Sequence, residues 1–234
     1  MRRIDMSLGD FTLVQERSLP IFLIVDTSKS MTIDNRIGLV NGAIHNMLDE
    51  LRNDMTNAQE NLVAYQVGII AFGGGEATLQ PLQDVRTIEF VPLHAAGDTP
   101  LGDALDMLLD QVKKIDKRSY APCIVLLSDG NPWIQGNPHY FDEVCSKLKE
   151  FQKEKRIARG QLFSVKVGPV SPKQDRFLLD FVQNNPQHFI DAAEVGKIKD
   201  AFELITLSVT QQASTIAFSP SKKEDADAES IRIR

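Results

Sequence analysis

The chain has 234 residues, with 26 Lys and Arg against 32 Asp and Glu, so its net charge at pH 7 is −6. Such a charge argues against non-specific nucleic-acid binding, because no excess of cations is available to displace the counterions of the phosphates. The apolar runs are far shorter than the ~20 residues that cross a bilayer, and no secretory signal opens the chain, so we expect a cytoplasmic protein with no membrane partner.

Apolar runs and helical patterns alternate through most of the chain. Short runs that are apolar on both faces predict buried strands, whereas a 3-4-3-4 spacing of apolar residues predicts amphipathic helices. The predicted strands are 21–25, 62–72, 123–128, 162–167 and 188–190, with a brief extended piece at 87–91. The predicted helices are 37–51, 101–115, 141–151, 177–182 and 195–209. This order predicts an α/β fold, a doubly wound and mostly parallel six-stranded sheet with helices on both faces.

The same pattern indicates the limits of the folded domain. It begins near residue 19 and continues to residue 212, so we expect an N-terminal extension at 1–18 and a single domain at 19–212. Residues 213–234 are polar and lack an apolar period, which predicts a flexible tail. Glycines 73–75 follow a predicted strand without a phosphate-binding motif, and we interpret them as a flexible loop.

Two of the predicted strands end in an aspartate, Asp26 and Asp129. In an open doubly wound sheet, ligands bind beyond the carboxyl ends of the strands, where the strand order reverses. If these two strands are neighbours, their axes lie about 4.8 Å apart. Two carboxylates so close together are unfavourable unless a positive charge lies between them. A divalent cation would supply that charge.

Hydroxyl groups accompany the two acids. Ser28 and Ser30 follow Asp26 in an Asp-x-Ser-x-Ser pattern, and Thr99 lies just before a predicted helix. All are oxygen donors of the kind that Mg²⁺ prefers, and Mn²⁺ or Ca²⁺ could take its place. The alternatives are turn hydrogen bonds for the serines and an N-cap for Thr99.

Three segments, 26–31, 97–102 and 128–132, together resemble the metal-ion-dependent adhesion site (MIDAS) of von Willebrand factor A (VWA) domains. Their order and spacing match that site, and the series of strands and helices from 19 to 212 is similar too. Within that family the chain most resembles the small stand-alone bacterial proteins of the tellurium-resistance type. The resemblance implies that Ser28, Ser30 and Thr99 bind the metal directly. It implies that Asp26 and Asp129 bind it directly or through water.

The resemblance also implies a function. In VWA domains the metal keeps a vacant position, which an acidic side chain of a partner protein fills. The leading hypothesis is therefore a metal-dependent protein-binding module whose partner supplies a Glu or Asp. The related bacterial proteins suggest a stress or metal-resistance system, often with a kinase and a phosphatase.

Four further residues are candidates for a supporting or partner-facing role. Lys29 stands where the family usually has glycine, and its ammonium could repel the cation, pair with Asp98 or receive an acidic partner. Asp98 could equally be a solvated loop acid. His94 lies a few residues before the Thr99 loop, and Trp133 follows Asp129, where it could face a partner or pack under the loop.

Two other functions stay open. One is a metal-dependent hydrolase or phosphatase, and the other is a scaffold with a vestigial metal site. A phosphatase of the haloacid-dehalogenase type would place a second carboxylate where Ser28 stands. No Gly-x-Ser-x-Gly elbow is present either, and no histidine is placed by sequence as a base. We therefore expect that the protein is not an enzyme.

Overall fold

Strands and helices alternate along the residues that the computed structural model describes, which are 16–57, 63–194 and 196–218. The strands are β1 (Arg17–Asp26), β2 (Val63–Gly73), β3 (Glu76–Asp84), β4 (Cys123–Ser128), β5 (Gln161–Val167) and β6 (Phe189–Ala192). The helices are α1 (Arg36–Asn57), α2 (Leu101–Lys114), α3 (Tyr140–Gln152), α4 (Lys155–Ala158), α5 (Pro172–Phe181) and α6 (Lys197–Phe218). A 3-10 segment, Lys29–Asn35, connects β1 to α1.

The strands form one sheet with the order β3-β2-β1-β4-β5-β6. β1 pairs in parallel with both β2 and β4, and β5 continues the parallel series to β6. From β1 at the centre, β2 and β3 are added on one side of the sheet, and β4, β5 and β6 are then added on the other side. The strand order therefore reverses between β1 and β4, and the predicted doubly wound, mostly parallel, six-stranded fold is confirmed.

β1 shows why the central strands are apolar on both faces. Side chains alternate across a strand, so Ile21 and Leu23 enter the core beneath α1 and α6. Phe22 and Ile24 enter the core on the opposite face, beneath α2, α3 and α5. Burial on both faces holds the carboxyl end of β1 rigidly against its neighbours.

The sixth strand lies elsewhere than the sequence predicted. The segment 87–91 is not a strand, and the position at the edge of the sheet is taken by β3, which pairs antiparallel with β2. Gly73 ends β2, and Gly74 and Gly75 form the turn of this hairpin, so the predicted flexible loop is a tight turn. Gly74 and Gly75 have φ angles of +65° and +99°, which glycine adopts without steric cost.

The C-terminal helix extends beyond the predicted domain limit. α6 continues to Phe218, so the expected boundary between 212 and 213 falls inside the helix. Most of the predicted N-terminal extension, and the predicted tail beyond 218, lie outside the described residues. Within the described part of the chain, no helix is long and apolar enough to cross a membrane.

Candidate functional site

The two predicted acids meet at the point where the strand order reverses. Asp26 is the last residue of β1, and Asp129 directly follows β4. Val25 pairs with Leu127, so the two strands end side by side. Both acids are buried, with exposed fractions of 0% for Asp26 and 5% for Asp129.

Among the described residues, only neutral groups donate hydrogen bonds to Asp26. The backbone amide of Ser28 donates to Oδ1 at 2.9 Å, and the hydroxyl of Ser128 donates to Oδ2 at 2.7 Å. Burial, reinforced by the charge of Asp129, raises the pKa of Asp26 to about 6. The carboxylate therefore lacks the positive charge that would balance its desolvation.

The two serines join the acids into one group. The Oγ atoms of Ser28 and Ser30 lie 3.0 Å apart, and Ser30 Oγ donates to Asp129 Oδ1 at 2.6 Å. The turn after β1 thus reaches the end of β4. The structure brings together four of the five predicted metal ligands, namely Asp26, Ser28, Ser30 and Asp129.

Thr99 lies in the adjoining loop. The amide of Lys29 donates to the carbonyl of Gly97 at 3.1 Å, which ties this loop to the serine turn. Thr99 is buried, and its backbone exchanges two hydrogen bonds with Trp133, at 2.8 and 3.2 Å. Within the described ranges, no hydrogen bond joins the Thr99 hydroxyl to the acids or the serines, so its role as a ligand stays a prediction.

The four supporting candidates occupy different surroundings. Lys29 is exposed and lies outside the left-handed region of φ, so lysine replaces the family's glycine here without backbone strain. Asp98 accepts a hydrogen bond from the Gln135 amide at 2.8 Å. His94 is exposed and borders a surface cavity beside β3. Trp133 is 53% exposed, as a residue facing a partner would be.

Arg36 is a site residue that the sequence did not predict. Its Nη1 atom donates to Asp129 Oδ2 at 2.8 Å. The exposed fractions of the two side chains are 7% and 0%, so this ion pair is buried. The signal in the sequence that could have indicated Arg36 is its position. It is a cationic residue at the start of a predicted amphipathic helix, a few residues after the serine turn. Its pairing with Asp129, 93 residues away, required the fold.

A second layer behind Asp26 was also missed. Ser128 is fully buried, and Gln174 at the start of α5 donates to its hydroxyl at 3.3 Å. This series fixes the orientation of the Asp26 carboxyl. In the sequence, Ser128 is the polar end of an apolar run, whereas Gln174 stands among charged residues, so no local pattern marks it.

Part of the chain matches a known protein family. Residues 21–131 match the family described as von Willebrand factor type A domain. That segment contains both aspartates, both serines and Thr99. The chain has the fold of a VWA domain. No curated protein matches the sequence.

Solved structures share the VWA fold at low identity. The pilus adhesin SpaC from Lactobacillus rhamnosus GG has a TM-score of 0.65 and 16% identity, over 84% of this chain and 31% of SpaC. The PilB minor pilin from Streptococcus sanguinis, solved as a variant, has a TM-score of 0.66 and 13% identity, over 88% of this chain and 64% of PilB. This chain therefore corresponds to about a third of SpaC and just under two thirds of PilB.

A third structure with a similar fold is proximal thread matrix protein 1 from the mussel byssus, with a zinc-occupied MIDAS motif. Its TM-score is 0.56 and its identity 18%, over 82% of this chain and 46% of the mussel protein. At these identities the three likenesses show the fold alone.

The donor set at this site suits a hard cation. Within the described ranges, no group of three or more His, Cys, Asp or Glu residues is placed to hold a metal ion, so any cation here would rely on hydroxyls beside the two carboxylates. Oxygen donors with one or two carboxylates are the surroundings in which Mg²⁺ is usually found. Two buried acids facing one buried arginine also leave a negative charge that a cation would balance.

Proposed function

We propose that this VWA domain is a metal-dependent protein-binding module. Asp26, Ser28, Ser30, Thr99 and Asp129 would hold a divalent cation, and a partner protein would supply a Glu or Asp side chain. The observation that carries the proposal is the hydrogen-bonded series of buried acids and serines at the switch point of the sheet. When bound, the cation would supply a positive charge with room for an anionic ligand.

The spacing of the oxygens supports Mg²⁺ as the cation. In an octahedral Mg²⁺ site, with ligands at about 2.0–2.1 Å, neighbouring ligand atoms lie about 2.9 Å apart. The separations of 3.0 Å between the two serine hydroxyls and 2.6 Å between Ser30 and Asp129 are those of hydrogen bonds. They are also close to the octahedral value, so these oxygens could surround Mg²⁺ with little movement. Mn²⁺ fits similarly. Ca²⁺ usually takes about six to eight oxygens, which five side chains supply less readily. The zinc-occupied motif of the mussel protein is a precedent for a divalent cation on this fold.

Exposed side chains near the site suggest how a partner would be received. Trp133 is 53% exposed and Ile33, in the 3-10 segment after the serine turn, is 51% exposed. Lys29 adds an exposed cation. Aromatic anchors are typical of binding hot spots, so we propose that the partner's acidic residue is flanked by apolar side chains.

We propose binding instead of catalysis for this site. Ser28 replaces the second carboxylate that a phosphatase would use as acid or base, and His94 is not joined to the acids by any hydrogen bond among the described residues. A bacterial stress response of the tellurium-resistance type, in the cytoplasm and alongside a kinase and a phosphatase, is the proposed setting. That setting rests on the sequence resemblance.

The deciding experiment removes the hydroxyl ligands without changing charge. The melting temperature of the wild type is expected to rise with millimolar Mg²⁺ or Mn²⁺, because a cation that binds only the folded state stabilises it by about 2.7 kcal/mol at 100 times its Kd. The double variant Ser28→Ala/Ser30→Ala should lose this rise. The matched control, Ser146→Ala/Ser214→Ala, removes two exposed helix hydroxyls and should keep it. A wild type that shows no metal-dependent shift contradicts the proposal.

A pull-down in the presence and absence of chelator tests the partner. Wild-type protein with Mg²⁺ should retain a partner that chelator releases and that the double serine variant does not bind. Retention that is indifferent to both changes would place the interaction on another surface.

A further inference from the structure

The ion pair between Arg36 and Asp129 lies inside the candidate site. Each oxygen of Asp129 has one donor, Ser30 for Oδ1 at 2.6 Å and Arg36 for Oδ2 at 2.8 Å. Both partners of the ion pair are almost entirely buried. A buried guanidinium is a permanent charge that solvent screens weakly.

The guanidinium of Arg36 packs against the backbone of Gly168, and we call this contact the seat of the guanidinium. Gly168, directly after β5, has a φ of +70°. A Cβ atom at Gly168 would lie 2.5 Å from Arg36 Cζ and 2.8 Å from Nη1. The start of α1, the end of β4 and the end of β5 therefore converge on the guanidinium, and its position is set by the fold.

The charges of the site lead to a specific role. Two carboxylates and one guanidinium leave a single net negative charge, and a divalent cation would change it to a single net positive charge. Without Arg36 the loaded site would be neutral. We propose that Arg36 is a specificity-determining residue, which weakens cation binding and leaves the loaded site with an excess positive charge that an anionic partner group neutralises. This inference rests on the proposed function.

The test uses a variant that keeps an unbranched side chain and removes its charge. Arg36→Met is expected to bind Mn²⁺ about tenfold more tightly than the wild type, because a like charge within a few ångströms is removed. The Mn²⁺-loaded variant is expected to bind acetate, the simplest carboxylate, about tenfold more weakly. Titration calorimetry measures the first affinity. Water-proton relaxation measures the second, because acetate displaces water from the bound Mn²⁺.

Two further variants isolate the charge. Arg86→Met removes an arginine from the opposite edge of the sheet, where it pairs with Asp84, and should leave both affinities unchanged. Arg36→Lys keeps the charge and should stay within a few-fold of the wild type. If Arg36→Met does not fold without metal, Arg36→Gln, which removes the charge and keeps a polar amide, is measured instead.

The outcomes separate the two proposals. If the wild type binds Mn²⁺ and the Arg36 variant binds it no more tightly than Arg86→Met does, the role of Arg36 is overturned and the proposed function stands. Tighter Mn²⁺ binding together with weaker acetate binding supports that role. If neither the wild type nor the Arg36 variant binds Mn²⁺, the proposed function fails and the role of Arg36 fails with it.

Discussion

The two ends of the parallel strands place acidic residues in different electrostatic surroundings. We call the end with Asp26 and Asp129 the carboxyl edge, and the end with Asp84 and Asp116 the amino edge. At the carboxyl edge, burial raises the pKa of Asp26 to about 6. At the amino edge, hydrogen bonds from Arg118 lower the pKa of Asp116 to about 2, and those from Arg86 lower the pKa of Asp84. The acids at the amino edge have exposed arginine partners, whereas the hydrogen-bond donors to Asp26 in the described part of the chain are all neutral.

This contrast separates exposed charges that are paired locally from a buried charge that the proposed cation would balance. Exposed ion pairs are balanced locally and screened by salt, so they contribute little to stability. A buried acid without a full counter-charge is costly and persists where something else compensates it. The cavity of about 460 Å³ at the amino edge is lined by balanced pairs such as Arg86 with Asp84, so its charge does not favour a cation.

The largest expected effect comes from breaking the buried pair at the carboxyl edge. Asp129→Ala leaves the guanidinium of Arg36 buried without its partner, which typically costs about 3–5 kcal/mol of unfolding free energy. Urea unfolding at pH 7 without metal measures the loss. Asp106→Ala, which removes the exposed partner of Lys147, is the control and should cost less than about 1 kcal/mol. Equal losses of unfolding free energy in the two variants would show that the buried ion pair matters no more to stability than an exposed one.

The pH dependence of stability tests Asp26. Its pKa is about 6 in the folded protein against 3.8 ordinarily, so between these values the folded state holds a proton that the unfolded chain has released. The stability of the metal-free protein should therefore fall as the pH rises through this window, with no further loss above pH 6. The variant Asp26→Asn has no carboxyl to titrate, so its unfolding free energy should not fall in this way. Measured by urea unfolding, the difference in unfolding free energy between the variant and the wild type should therefore change in favour of the variant by at most about 3 kcal/mol across this window. A difference that is independent of pH would contradict the assignment.

Gly168→Ala tests the seat of the guanidinium. A left-handed φ and a Cβ at 2.5 Å from Arg36 Cζ together should cost about 1–3 kcal/mol. Gly136→Ala is the matched control, since Gly136 also has a positive φ, +84°, but a Cβ there meets nothing within 4 Å. The excess loss in the Gly168 variant, measured by thermal or urea unfolding, reports the collision with Arg36. An excess of zero would show that the guanidinium moves aside freely.

The smallest effect is expected at the amino edge. Arg86→Ala removes a side chain that is 51% exposed and pairs with Asp84 and Glu16. Its cost should be below about 1 kcal/mol and should shrink further in 1 M salt, where the screening length is about 3 Å. Unfolding curves at low and high salt measure both quantities. A larger, salt-independent loss would mean that the two edges do not differ in kind.

The sequence predicts the central strands well and the edge strand poorly, for a physical reason. β1 and β4 are covered on both faces, so each must be a continuous apolar run. β3 is paired on one side only and alternates between exposed and half-buried residues, with Pro81 in its interior. An edge strand tolerates such residues, and the remaining trace is the glycine turn at 73–75.

The candidate site divides in the same way. Asp26 and the serines follow one strand at fixed spacing, so the sequence alone indicates them. Arg36 and Gln174 act through contacts between elements distant in the chain, and no local pattern reports such pairs. Asp129 was found because it repeats the position of Asp26 at the end of a second strand.

The hydrogen bond between Ser30 and Asp129 spans 99 residues of sequence. During synthesis the serine turn leaves the ribosome well before Asp129 does, and the candidate site is incomplete until β4 has paired with β1. A cation that needs the whole group would find no partner in a half-made chain. A bound cation would therefore slow the unfolding of the complete domain. It would not change the rates of the early steps of folding.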